Sequence, residues 1–202
     1  MTPESTFRLA FLILLLALIA MRVYFMIKVR RAGERILPDR QAVAREGGSA
    51  VFIARVVLFL FLITFLVMYI LGMTWIDFFL FPLPGWLRWI GFALGVFSVV
   101  FWIWTQVELD IRWSAQLQLT QDHRLVTSGP YARLRHPLYT AMFGWAVAVA
   151  LLTANWIFVA FVILSIAGTA ARVPKEEQMM LESFGDEYKA YMQRTGRYFP
   201  RL

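Results

Sequence analysis

Thr127-Ser128-Gly129-Pro130-Tyr131-Ala132-Arg133-Leu134-Arg135-His136-Pro137-Leu138-Tyr139 is the segment on which the reading of this chain turns. It is polar, turn-rich and doubly basic, and it runs directly into an apolar stretch. Gly129-Pro130 punctuates the backbone. Pro137 suits the first turn of a helix, where a missing N–H costs nothing. His136 therefore stands where the chain enters a helix, beside free backbone N–H groups that carry partial positive charge and favour anions.

Working outward, the apolar stretch is one of five. The chain has 202 residues, of which 60% are hydrophobic and only 16% charged, far too apolar for an ordinary soluble domain. A bilayer core of ~30 Å needs about 20 apolar residues in a helix. Phe7–Ile27, Val51–Met73 and Leu87–Gln106 meet that length. Pro137–Thr153 and Trp156–Ala171 are shorter, and Thr153-Ala154-Asn155 leaves room only for a tight turn between them, so they are expected to form an antiparallel hairpin. Gly144 and Gly168 are candidates for close helix contact. Beyond Pro174, expected to start a new helix, Met180, Leu181, Phe184, Tyr188, Tyr191 and Met192 recur at helical spacing and predict an amphipathic helix, with a break at Gly185-Asp186. The expected fold is thus all-α: an integral membrane protein of about five transmembrane helices with a cytoplasmic C-terminal amphipathic helix. It divides into residues 1–106, three helices and a basic loop, and residues 107–202, a catalytic region.

The net charge of +7 resides in segments that flank apolar spans, which argues against nucleic acid as a partner. Lys28–Arg45 is the strongest basic loop and is expected to be cytoplasmic. The N-terminus then lies outside the cell membrane, and residues 107–136 and the tail lie inside. The first apolar run lacks the form of a cleavable signal peptide. With no cysteine, the chain has neither a disulfide framework nor a thiolate metal site or nucleophile. Two histidines do not make a metal centre, and none is expected.

If the last two spans form a hairpin, its open ends bring two distant segments together: His123, Arg133, Arg135, His136 and Tyr139 before it, and Arg172, Glu176 and Glu177 after it. Trp113, Tyr131, Trp145 and Phe184 would wall such a pocket. Glu176 and Glu177 are neighbours, about 100° apart on a helix, so only one of them is expected to face a ligand squarely. No Gly-x-Gly-x-x-Gly follows a strand and no Ser-His-Asp pattern stands out.

Gly129-Pro130-Tyr131, Arg135-His136-Pro137-Leu138-Tyr139, Arg172…Glu176-Glu177, Phe184-Gly185-Asp186-Glu187-Tyr188 and the closing Gly196-Arg197-Tyr198-Phe199-Pro200 occur in order. Together they resemble the isoprenylcysteine carboxyl methyltransferase family, whose wider group includes membrane phospholipid N-methyltransferases. The specific likeness runs from Trp113 to Pro200; the first hundred residues share only apolar spans. The resemblance implies an enzyme that uses S-adenosylmethionine and releases S-adenosylhomocysteine. It also implies that His123, Leu125, Val126, Gly129, Tyr131, His136 and Tyr139 line the cofactor site, with Glu176 or Glu177 at the cofactor's polar end. Arg135 and Arg172 would be the catalytic pair beside the methyl group and the acceptor. Asp122 stands where related sequences often carry glycine. The expected partner is an amphiphilic, lipid-like or prenylated acceptor that enters from the membrane lipid. A sterol-type membrane reductase and a non-catalytic membrane protein are the competing readings.

Overall fold

The computed structural model describes residues 3–32, 48–109 and 125–201. His123, Trp113, Asp122 and most of the basic loop after Lys28 lie outside them. The described chain is all-α: α1 (Glu4–Arg31), α2 (Gly48–Ile70), a one-turn α3 (Thr74–Asp77), α4 (Gly85–Leu109), a 3₁₀ turn (Gly129–Ala132), α5 (Pro137–Thr153) and α6 (Trp156–Arg194). Four of these helices are long and apolar enough to cross a membrane, and α5 is a shorter apolar helix.

The centre of the bundle is α4 against α5, antiparallel. A Cβ built on Gly91 would lie 2.8 Å from the Leu151 Cβ, and one on Gly144 would lie 2.6 Å from the Ser98 hydroxyl. Lipid tails are as apolar as leucine, so helices gain little from hiding apolar surface; close backbone approach at small residues supplies packing instead. Gly144 thus fulfils its expected role. Gly168 does not, since nothing lies within 4 Å of its Cβ position. α1 runs parallel to α4, with the Phe7 ring on Trp89 near one end and the Arg22 guanidinium over Trp102 near the other. The tightest apolar core, which includes Phe7, Phe11, Tyr69, Ile76, Leu152 and Phe158, occupies the half of the bundle near the α5–α6 turn. α2 is peripheral: only Leu66 and Tyr69, in its last turns, are buried.

The hairpin turn is as tight as the sequence requires. Ala154 adopts φ 48°, a left-handed conformation that costs an alanine roughly 1–2 kcal/mol. Pairing of the turn with residues 79–81 offsets this cost: Phe81 N–H donates to the Ala154 carbonyl and Trp156 N–H to that of Phe79. The Asn155 side chain accepts from Ile157 N–H at 2.9 Å and so caps α6.

α6 departs from expectation at Pro174, which lies inside one helix running from Trp156 to Arg194. Proline takes away the N–H that the Ala170 carbonyl would receive. A single missing bond is tolerated at the point where the apolar stretch ends and water or neighbouring groups can replace it. The break comes at Gly185, with φ 52° and ψ −121°, where the axis turns and where a residue with a side chain would be strained. Beyond Ala171 the helix is amphipathic as expected, with Val173, Glu177, Tyr188 and Tyr191 on its buried face.

Candidate active site

The first turn of α5 is reached through the 3₁₀ turn. Gly129 at φ 54° lets the backbone pass against α4, because a Cβ there would lie 2.8 Å from the Glu108 carboxylate, and Ser128 Oγ donates to that same carboxylate. Pro130, Tyr131 and Leu134 are buried. The Tyr191 hydroxyl, from beyond the kink, lies 2.7 Å from the Tyr131 carbonyl and 3.0 Å from that of Leu134, and so ties the tail helix under the loop. Burial, followed by the proximity of Tyr191 and Glu176, pushes the Tyr131 phenol far above its ordinary range. It therefore stays neutral.

Pro137 opens α5, as expected, and His136 stands just before it. The His136 carbonyl accepts from Tyr139 and Thr140 N–H at 3.1 and 3.2 Å. Its ring sits between two acids: Nδ1 is 3.7 Å from Glu176 and Nε2 is 3.4 Å from Glu177. Nε2 is buried, and the Glu177 carboxylate is close enough to attract it although the pair falls short of a well-aligned hydrogen bond.

Connectivity brings α6 to the same place. Glu176 accepts from the Tyr139 hydroxyl at 2.7 Å and from Arg172 Nε at 2.7 Å. Glu177 is held differently. It accepts from Arg135 Nε at 2.9 Å and is gripped through both oxygens by Arg197, whose Nε lies 3.2 Å from Oε1 and whose Nη2 reaches Oε2. Burial pushes the Glu177 carboxyl up, but His136, Arg197 and Arg135 together outweigh it and hold it well below the usual carboxylate range. Arg135 completes its fork on the carbonyls of Met192, at 3.0 Å, and Thr195.

His136, Tyr139, Arg172, Glu176, Glu177 and Arg135 therefore meet at the hairpin mouth, and Tyr131 adjoins them. Leu125, Val126 and Gly129 lead into the same turn and are half-buried, half-buried and exposed respectively. Trp145 is expected to wall the pocket but packs instead against the core cluster. Two participants escape a reading of the sequence. Glu108 is the last acid of an apolar helix, and only the glycine two places into the Ser128-Gly129 step hints at a neighbour. Arg197 looks like an ordinary tail arginine, and its position in the closing Gly196-Arg197-Tyr198 motif is the one clue.

Residues 89–182 match the family described as isoprenylcysteine carboxyl methyltransferase (ICMT). The chain is 35% identical over 86 residues to protein-S-isoprenylcysteine O-methyltransferase of Tribolium castaneum, spanning 42% of this chain and 31% of that protein. It is 33% identical over 125 residues to the Dictyostelium discoideum enzyme of the same name, spanning 58% and 52% respectively. A nickel-cobalt-cadmium resistance protein of Alcaligenes xylosoxydans xylosoxydans is 36% identical over 78 residues, 39% of this chain and 37% of that one. The solved structure of the eukaryotic intramembrane Ras methyltransferase ICMT superposes with a TM-score of 0.53 at 30% identity, covering 57% of this chain and 42% of that one. The chain thus spans about a third to a half of the length of these curated relatives. The matched stretch contains the hairpin, its mouth and both glutamates, and in it the chain is similar to the isoprenylcysteine carboxyl methyltransferase family.

Proposed function

We propose that this protein is an integral membrane methyltransferase that takes S-adenosylmethionine and esterifies the carboxylate of an isoprenylcysteine-like amphiphile. One observation carries the reading: within the stretch matched to the family, Glu176 gathers the Tyr139 hydroxyl, the Arg172 guanidinium and, at 3.7 Å, the His136 Nδ1 at the hairpin mouth. The residues fit the cofactor. A carboxylate suits its ammonium, and the positive end of α5 suits its carboxylate. When bound, S-adenosylmethionine supplies a methyl group already activated on a sulfonium and leaves as S-adenosylhomocysteine.

The protein's part is to position and to keep out water. A carboxylate acceptor is ionised at neutral pH, so no residue need remove a proton. Positioning alone supplies up to ~7–11 kcal/mol in the best intramolecular models. Glu176, turned by Tyr139 and Arg172, holds the cationic end of the donor. Arg172, a planar cation paired through Nε with Glu176 at the end of the apolar part of α6, stands where the acceptor's anionic head would arrive. Arg135, held by Glu177 and two tail carbonyls, positions the mouth. The last turn of α1, with Lys28, Arg30 and Arg31, lies at the same end of the bundle as the site, so the positive-inside rule orients the site to the cytoplasm. Cysteine at Phe78, 86% exposed at the far end, should react with an impermeant thiol reagent in intact cells, and cysteine at Gln193 should not; the opposite pattern refutes this orientation.

The functional test is methyl transfer to N-acetyl-farnesylcysteine against phosphatidylethanolamine. A base-labile methyl ester on the first is expected. A stable N-methyl product on the second alone would move the protein to the lipid N-methyltransferases, against the cationic Arg172 that an amine would have to approach.

A further inference from the structure

Residues 195–198 form a strap across the first turn of α5. Gly196 N–H donates to the Arg133 carbonyl at 3.0 Å; in return Arg135 N–H donates to the Gly196 carbonyl at 2.8 Å and His136 N–H to the Arg197 carbonyl at 3.1 Å. The Thr140 hydroxyl donates to the Tyr198 carbonyl at 2.8 Å. The Tyr198 ring lies 6.2 Å from that of His136 and 5.5 Å from that of Phe143. The strap doubles back so sharply that a Cβ on Gly196 would fall 1.7 Å from the Phe199 carbonyl oxygen. Its fastening is Arg197, which reaches back 20 residues to clasp the buried Glu177 through both oxygens.

We infer that Arg197 is a positioning residue of the methyl-transfer site, which uses Glu177 as its anchor so that Glu176 and His136 present a fixed cradle to the methyl donor. The inference rests on the function proposed above. The two adjacent acids then divide the work. Glu177 is clamped between two guanidinium groups, Arg135 before α5 and Arg197 in the strap. Glu176, one residue earlier and about 100° round the helix, is turned to the hairpin mouth by Arg172 and Tyr139. The strap sets both the backbone and the ring of His136. Freeing Arg197 therefore loosens the donor cradle from two sides while leaving Arg172 and the acceptor's approach in place.

The test is calorimetric titration of the full-length, detergent-solubilised protein with S-adenosylhomocysteine, beside steady-state methyl transfer. Arg197→Gln should weaken S-adenosylhomocysteine binding roughly tenfold, as the loss of a charge-assisted bond would. It should raise the donor KM while leaving the acceptor KM and the kcat at saturating donor near the parent's. Arg197→Lys should recover part of the loss. In the Glu177→Gln background, Arg197→Gln should add nothing further, since both act through one pair. Gly196→Ala keeps every charge and displaces the strap, so it should reproduce the donor defect in protein that still unfolds cooperatively. Parent-like binding by Arg197→Gln and Gly196→Ala, or losses that add across the pair, overturns the strap's role while the proposed function stands. If the unmodified protein binds no S-adenosylhomocysteine, the function falls and the strap's role falls with it.

Discussion

The bundle carries an ionic cluster at each end, built from the same residue types for opposite purposes. At the far end Arg88, on α4, is buried. Its guanidinium grips both Glu4 oxygens at 2.6 and 2.8 Å, and its Nε donates to the Leu152 carbonyl at 2.8 Å. The group lies 3.7 Å over the Phe7 ring, and the Tyr69 hydroxyl donates to Glu4 at 2.8 Å. One arginine thus joins α1, α2 and the C-terminal carbonyls of α5. At the site end two adjacent acids of one helix share an imidazole at 3.4 and 3.7 Å, longer contacts than any in the Arg88–Glu4 pair. Arg88 holds helices together with short, well-formed bonds, whereas the His136 ring meets its acids only through long contacts that a ligand could replace.

Loss of the far cluster should be felt as stability. Arg88→Ala strands Glu4 and uncaps α5, and removal of one partner of a buried ion pair costs ~3–5 kcal/mol. The expected result is a sharply lower unfolding midpoint in detergent, with S-adenosylhomocysteine affinity of the folded fraction unchanged. A loss of affinity without a loss of stability would erase the distinction between the two ends. Glu176→Gln should do the reverse: affinity falls by ~1.5–3 kcal/mol as a charge-assisted contact is lost, and the unfolding midpoint stays close to the parent's. Parent-like titration of this variant would remove Glu176 from the donor site.

Acid should separate the ends further. Glu177 has a depressed carboxyl pKa in the folded protein. Its stabilising contribution is therefore complete above the ordinary carboxylate range and is lost as the pH falls through that range toward the lower folded value. Unfolding midpoints followed from pH 7 downward should fall more steeply for the parent than for Glu177→Gln, and the two curves should converge. Parallel curves would mean that Glu177 is not held by its arginines. The smallest effect is expected between the two clusters: Gly168→Ala, where a Cβ meets nothing within 4 Å, should change stability by less than ~1 kcal/mol and in the stabilising direction. A large loss there would reveal a neighbour on that face of α6.

Much of this contrast is visible in the sequence at one end and hidden at the other. Pro137, the Thr153-Ala154-Asn155 turn and Gly185 act locally, through proline ring geometry and backbone freedom, and each stands where its chemistry predicts. Because the hairpin is short, the meeting of His136 and Tyr139 with Glu176 follows from connectivity. Pro174 misleads because an isolated proline reads equally as a helix start and as a tolerated interior residue. Arg88 is 84 positions from Glu4, and a cation at the start of a span reads as one that snorkels to the interface. Neither its burial nor its partner has any local sign. Arg197 is hidden for the same reason: its partner is set by the kink at Gly185, which decides where the tail returns.

The strap also fixes an order of events during synthesis. Thr195 to Tyr198 follow every other part of the site along the chain, so a growing polypeptide can insert its helices, close the hairpin turn and pair Arg88 with Glu4 while the first turn of α5 still lacks the carbonyls that receive the Arg135 and His136 N–H groups. The mouth becomes a defined cradle only after these four residues have emerged and folded back. A ribosome stalled a few codons earlier would leave a membrane-embedded bundle with its site unfinished.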